Sequence, residues 1–195
     1  MIGIGQKKFM KATILKNFAV ICIAAGKSQL PVIAKAKSLG YTIVAIDQNK
    51  EAPGFNHADY KIYQSTYDAD QIIKELDKLD KKLEWAGVIN RSSGPPVISA
   101  AKICKHFHLP GVPVESAVSL VNKDQMRTAC SKRNIPIPNY KIYEVDECNS
   151  ESIDLLPVVV KPALSLIGKS GVSVIRTKDK IAPSIKYASE NTINN

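Results

Sequence analysis

Ala19-Val-Ile-Cys-Ile-Ala24 runs straight into the turn Ala25-Gly-Lys-Ser28, and one helix-length later Thr42-Ile-Val-Ala-Ile46 repeats the pattern. Between the two runs, Leu30, Ile33, Ala34, Ala36 and Leu39 supply apolar positions at helical spacing, and Gly40 supplies a C-terminal stop. Two β-branched runs separated by an amphipathic helix describe strands joined by a crossover, the repeating unit of a parallel sheet. The fold class expected is therefore α/β.

The same alternation continues downstream. Tyr60-Lys-Ile-Tyr63 reads as a third strand, and a helix over about 69–79 puts Ile72, Ile73, Leu76 and Leu79 on one side. Ala86-Gly-Val-Ile-Asn90 is a fourth strand, and its end carries Arg91-Ser-Ser-Gly-Pro-Pro96 before a helix that runs to about Phe107. Leu109-Pro-Gly-Val-Pro113 is a rigid connector that closes this part. A different grain follows. A helix opens near Asn122-Lys-Asp and runs to about Arg133, and Ile135-Pro-Ile-Pro138 follows it. Strands are expected at Tyr140–Tyr143, Pro157–Lys161 and Val172–Ile175, with a helical tail from Lys178. The division expected is a basic lead over 1–17, a parallel-sheet domain over 18–113, and an α+β unit, only begun, over 114–195.

Composition narrows the function classes. The 195 residues are 45% hydrophobic and 23% charged, which is ordinary for a globular protein. No stretch reaches the ~18 apolar residues of a membrane span. Lys7, Lys8, Lys11 and Lys16 ahead of Phe18–Ala25 imitate a signal peptide, but the run is short and leads straight into strand–helix alternation, so it is read as a strand. The net charge of +9 is carried by lysines spread along helices, with arginine only at Arg91, Arg127, Arg133 and Arg176. That is the pattern of solvated faces, whereas nucleic-acid readers cluster arginine. Neither nucleic acid nor membrane is expected as a partner. Cys22, Cys104, Cys130 and Cys148 contain no C-x-x-C pair, and cytoplasm is the simplest compartment.

Several motifs imitate sites. Gly26-Lys-Ser28 and Gly168-Lys-Ser170 resemble the end of a P-loop, but the glycine it needs five residues earlier is Ile21 or Ala163. Asp47, at the end of the second strand, sits where an acidic residue binds a dinucleotide ribose, yet the first turn lacks G-x-G-x-x-G. Cys104, His106 and His108 look like metal ligands, but only Cys104 and His108 share a helix face. Arg91, Ser92, Ser93 and Gly94 carry more weight. They end a parallel strand and precede a helix, where open α/β sheets bind ligands. The hydroxyls, the Gly94 backbone and the helix N-terminus suit a carboxylate, which Arg91 could hold by paired hydrogen bonds. A helix cap with a surface arginine is the equal alternative.

Taken in order, the parallel-sheet unit, Asn122-Lys-Asp-Gln-Met-Arg127, Asn134-Ile-Pro-Ile-Pro138 and Val158-Val-Val-Lys-Pro162 with its glycine turn resemble the ATP-grasp ligases. The nearest flavour is the carbamoyl-phosphate-synthase-like and biotin-carboxylase-like branch, over about Phe18 to Ala188. The resemblance implies a Rossmann-like pre-ATP-grasp domain followed by the first of two subdomains that clamp ATP. It implies an ATP-dependent carboxylate–amine ligase working through an acyl phosphate, with ATP and Mg2+ as cofactors and small carboxylates and amines as substrates. A homodimer is one assembly to test. Lys123 matches the lysine that reaches the ATP phosphates from the start of a helix, where a cation opposes the dipole unless an anion is bound. A solvent-facing lysine offset by Asp124 is the bland alternative. Lys161 matches the lysine that contacts the α- and β-phosphates. Gly168, Lys169, Ser170 and Gly171 occupy the place of the phosphate lid, although Leu164, Leu166 and Ile167 stand where the family has small residues.

The magnesium ligands and the hinge that receives adenine lie, in the family, beyond the glycine turn. After Ile175 the chain offers only Asp179 and Glu190 as acids. The expectation is an N-terminal fragment, inactive alone; the competing expectation is a non-catalytic nucleotide- or carboxylate-binding module.

Overall fold

The computed structural model describes residues 17–79, 81–144, 147–149, 151, 153–165 and 170–193. The basic lead over 1–16, and Leu166, Ile167, Gly168 and Lys169 of the expected lid, lie outside the described residues. The chain divides into two compact units, one through Ala117 and one from Val118.

In the first unit, β1 (Phe18–Ile23), β2 (Thr42–Ile46), β3 (Tyr60–Ile62) and β4 (Glu84–Asn90) form one sheet in the order β3-β2-β1-β4. Every pairing is parallel, with Ile21 opposite Val44 on one side and Val88 on the other. Helix α1 (Leu30–Ser38) connects β1 to β2, α2 (Ala69–Asp77) connects β3 to β4, and α3 (Pro95–His106) follows β4. The unbroken apolar character of β1 follows from burial on both faces. Ala19, Ile21 and Ile23 join Val44, Ile46, Ile72, Leu76 and Ile103 on one face. Val20 and Cys22 join Ile33, Ala36, Ile43, Ala45 and Phe55 on the other. Gly40 ends α1 at φ +95°, a conformation glycine adopts without a Cβ penalty. Asp68 starts α2 by accepting a hydrogen bond from the Gln71 amide at 3.0 Å.

The second unit holds α5 (Lys123–Ser131), an antiparallel pair of β5 (Val158–Val160) and β6 (Ser173–Ile175), and α6 (Ile181–Ser189). The short α4 (Val114–Val121) lies across the division. Ile175, Ile181 and Ala188 are buried in this unit, while Val159 and Val174, opposite each other in the pair, remain 51% and 61% exposed.

One expectation fails. Tyr140–Tyr143 forms no strand. Pro136 and Pro138 withdraw backbone donors just upstream, Arg127 takes the Pro138 carbonyl, and Ile142 stays 52% exposed with no core to face. The helix α4 starts directly after the connector, whose last residue, Pro113, accepts a hydrogen bond from the Ala117 amide at 2.9 Å.

Candidate functional site

In the order β3-β2-β1-β4, chain direction across the sheet reverses between β1 and β4. The carboxyl ends of those two strands are where open α/β sheets leave a ligand crevice. The loop after β1 is held there from both sides. The Asp47 carboxylate accepts from the Ala25 amide at 2.9 Å and from the Asn49 amide at 2.9 Å. The Gly54 amide donates to the Ala25 carbonyl at 2.7 Å, and a Cβ on Gly54 would lie 2.7 Å from that oxygen. Asp47 is thus a loop clamp. From the β4 side, the Arg91 guanidinium donates to the Ser28 carbonyl. The Gln29 side-chain amide donates to the Arg91 carbonyl at 2.9 Å and to the Ser92 hydroxyl at 3.2 Å.

Arg91, Ser92, Ser93 and Gly94 therefore stand at the switch point, with Gly94 at φ +75° capping α3. The helix end offers an anion less than its position implies. Its first two residues are Pro95 and Pro96, which have no N–H, and the Val97 amide already donates to the Gly94 carbonyl at 3.0 Å. Part of the Arg91 fork is likewise spent on Ser28. What remains for a carboxylate is the rest of the guanidinium, the Ser93 hydroxyl and the Gly94 amide.

In the second unit, Asn122 caps α5, its side chain accepting from the Asp124 amide at 3.0 Å and the Gln125 amide at 3.2 Å. The Lys123 backbone amide donates to the Ala163 carbonyl at 3.1 Å. Its ammonium donates to the Ser165 hydroxyl at 2.9 Å and to the Ala163 carbonyl at 3.4 Å. Lys123 is thus drawn onto the segment that follows Lys161, and among the described residues it forms no ion pair with Asp124. Burial, and after it the Lys161 charge, pull the Lys123 ammonium below the ordinary lysine value. Burial, and after it the Arg127 guanidinium, do the same to Lys161. Both shifts have the sign of cations crowded together and short of counter-charge.

Arg127 is the residue that sequence reading passed over. It stands four residues after Lys123, on the same face of α5. Its guanidinium lies 5.0 Å from the Tyr140 ring centroid and donates to the Pro138 carbonyl at 3.4 Å. The signal was present in that i, i+4 spacing.

Of the lid residues, Ser170 and Gly171 are described. Ser170 shares a hydrogen bond with the Asn191 side-chain oxygen, and the Asn191 side-chain nitrogen donates to the Tyr187 carbonyl at 2.8 Å. Gly171 has φ +75°, and a Cβ there would meet Pro162 Cγ at 2.7 Å and Asn191 Cβ at 2.9 Å. The glycine is required by packing against Pro162, directly behind Lys161. Among the described residues no three His, Cys, Asp or Glu side chains gather to hold a metal. No helix among them is long and apolar enough to cross a membrane.

No family model matches the chain. It is 27% identical over 188 residues to the formate-dependent phosphoribosylglycinamide formyltransferase of Prochlorococcus marinus strain AS9601, covering 94% of this chain and 46% of that protein. An N5-carboxyaminoimidazole ribonucleotide synthetase, solved as its ADP complex, superposes with a TM-score of 0.66 at 17% identity, over 91% of this chain and 46% of that one. The L-amino acid ligase of Bacillus licheniformis superposes with a TM-score of 0.65 at 19% identity, over 89% and 42%. The structural likenesses, at such identity, speak for the fold. The chain spans less than half the length of each.

Proposed function

We infer the function of this chain from its relationship to the ATP-grasp ligases, the group to which its relatives belong. The reading is an ATP-dependent carboxylate–amine ligase represented by its front portion. In such a reaction a carboxylate oxygen attacks the γ-phosphorus of ATP, giving an acyl phosphate and releasing ADP. An amine nitrogen then attacks the acyl carbon, phosphate leaves, and the nitrogen loses a proton. The observation that carries the reading is the convergence of Lys123 and Lys161, two cations with lowered proton affinity and no acidic partner among the described residues.

Each residue has a task on this reading. Lys123, fixed by Ser165, and Lys161, backed by Pro162, hold the phosphates; Ser170 and Gly171 set the end of the turn above them. Gly168 and Lys169, outside the described residues, are assigned to the phosphates by the resemblance alone. Arg91, Ser93 and Gly94 receive the carboxylate at the switch point, while Ser92 is tied to Gln29. Phosphoryl transfer relies on positioning and on neutralised phosphate charge. The described residues do not fit a Mg2+ site, so no step is assigned to the metal in this chain; on the family resemblance its ligands lie beyond the glycine turn.

The test is enzymatic. The 195-residue chain, given ATP, magnesium and a panel of carboxylates and amines, is expected to release no ADP above background. Substrate-dependent ADP release that disappears in Lys161→Ala would overturn the reading of an incomplete site. The competing reading, a non-catalytic binding module, gains if ATP binds and a version extended by a relative's second half also stays inactive.

A further inference from the structure

Gln29 is the N-cap residue of α1, yet its side chain makes no capping bond to that helix. It crosses instead to the loop after β4, where Nε2 donates to the Arg91 carbonyl at 2.9 Å and to the Ser92 hydroxyl at 3.2 Å. The other end of the amide, Oε1, lies against Gly26, where a Cβ would stand 3.3 Å from it. A backbone carbonyl only accepts, so the Arg91 oxygen fixes which end of the amide turns toward it. Both N–H bonds of the Gln29 side chain are thereby spent on the β4 loop.

That direction sets the polarity of the switch point. The Ser92 hydroxyl accepts from Gln29, and among the described residues nothing takes its proton, so Ser92 is left as a donor. Three oxygens that would repel a carboxylate each already accept from within. The Ser28 carbonyl takes the Arg91 guanidinium, the Arg91 carbonyl takes Gln29, and the Asn90 side-chain oxygen takes the Ser92 amide at 3.0 Å. The uncommitted groups are then the rest of the Arg91 guanidinium, the Ser92 and Ser93 hydroxyls and the Gly94 amide, all of which donate. A carboxylate offers about four acceptor positions and no donor. A carboxamide of the same shape sets an NH2 among those donors and leaves some of them without a partner.

We propose that Gln29 is a positioning residue of the carboxylate site at 91–94. By donating to Arg91 and Ser92 it occupies a repelling oxygen and turns Ser92 into a donor, so the site takes a carboxylate and rejects the carboxamide of the same shape. The proposal rests on the carboxylate reading above and deepens it with a residue that touches no ligand and a basis for selection.

NMR titration of the isotope-labelled 195-residue chain tests it, with acetate and its uncharged isostere acetamide as probes at constant ionic strength. The Ser93 and Gly94 amides and the Arg91 side-chain N–H are the signals to follow. Acetate should shift them saturably, and acetamide should bind weaker by about tenfold or more, the size of one hydrogen bond to a charged group. Gln29→Met keeps the length of the side chain and has no N–H. It should weaken acetate by about tenfold and acetamide little, so that the preference narrows; Ser92→Ala added to it should cost little more, because the two act through one hydroxyl. Equal acetate affinity in wild type and Gln29→Met, or an equal loss for both probes, would overturn the role of Gln29 and leave the carboxylate site standing. Acetamide binding as tightly as acetate would overturn the selection. Acetate that moves none of the three signals in the wild type would overturn the carboxylate reading of 91–94, and the role of Gln29 with it. If Gln29→Met does not fold, Ser92→Ala and the two probes on the wild type decide.

Discussion

Substituting Gly171 by alanine should damage the phosphate-facing turn through packing alone. Gly171 sits at φ +75°, and its new methyl would lie 2.7 Å from Pro162 Cγ, 2.9 Å from Asn191 Cβ and 3.0 Å from Pro162 Cδ. Neither neighbour yields easily: the proline ring is stiff, and Asn191 is anchored through both Ser170 and the Tyr187 carbonyl. The left-handed conformation costs an L-residue about 1–2 kcal/mol. Overpacking of this kind typically costs about 1–3 kcal/mol. Together they remove about 2–5 kcal/mol, and in a unit of this size each kcal/mol moves Tm by about 4–8 °C. Thermal denaturation followed by circular dichroism should therefore show the transition of the second unit falling by at least about 8 °C. Gly87→Ala is the control. A Cβ at Gly87 meets nothing within 4 Å, so that substitution should be neutral or stabilise by up to about 1 kcal/mol. A Gly171→Ala protein that melts within about 2 °C of wild type would refute the packing reasoning, and with it the claim that glycine is required there by Pro162.

The lysine shifts set a pH dependence. Because Lys123 and Lys161 hold their protons less tightly in the fold than the ordinary value of 10.5, ATP affinity should decline as pH rises toward 10.5, earlier than unperturbed lysines would allow. Without ligand the sign reverses: the unfolded chain binds more protons in that window, so stability should rise with pH between the lowered folded values and 10.5. Calorimetry and denaturant titration at several pH values check the two signs, and affinity that held up to 10.5 would contradict the first. Arg91→Ala, made in a version of the enzyme that turns over, should raise the carboxylate KM by the equivalent of about 1.5–3 kcal/mol; an unchanged KM with a lowered Tm would leave Arg91 only its bond to Ser28. Burial pushes the Cys22 thiol up to about 12, so iodoacetamide should leave Cys22 unmodified in the native protein, and rapid labelling of Cys22 would place it outside the core.

How much of this was legible in the sequence depended on how local each signal was. The strand runs at 19–24 and 42–46 are buried on both faces, so their composition alone announces them. The carboxylate reading at 91–94 was only half legible, since Pro95 and Pro96 openly remove two amides, but the Arg91 bond to Ser28 spans 63 residues of sequence. The missing glycines already argue against Asp47 as a ribose ligand, but nothing local reveals that its oxygens hold the Ala25 and Asn49 amides. The strand over 140–143 failed for the opposite reason: its local pattern was good, and no partner strand came to it. Arg127 closes the Asn122–Arg127 stretch, four residues after Lys123, but its place beside Lys161, 34 positions away, has no local signal.

The central claim is that the second unit holds a phosphate site built on Lys161, and calorimetric titration of ATP into the 195-residue chain and its Lys161→Ala variant tests it most directly. Lys161 has most of its surface in solvent, and what burial it has, followed by the Arg127 charge, disfavours its ammonium, so its removal should not lower Tm, and a change in binding can then be assigned to the lost charge. The account predicts weak, saturable ATP binding in the wild type and none in the variant at the same concentrations. Equal affinity in the two proteins would contradict it.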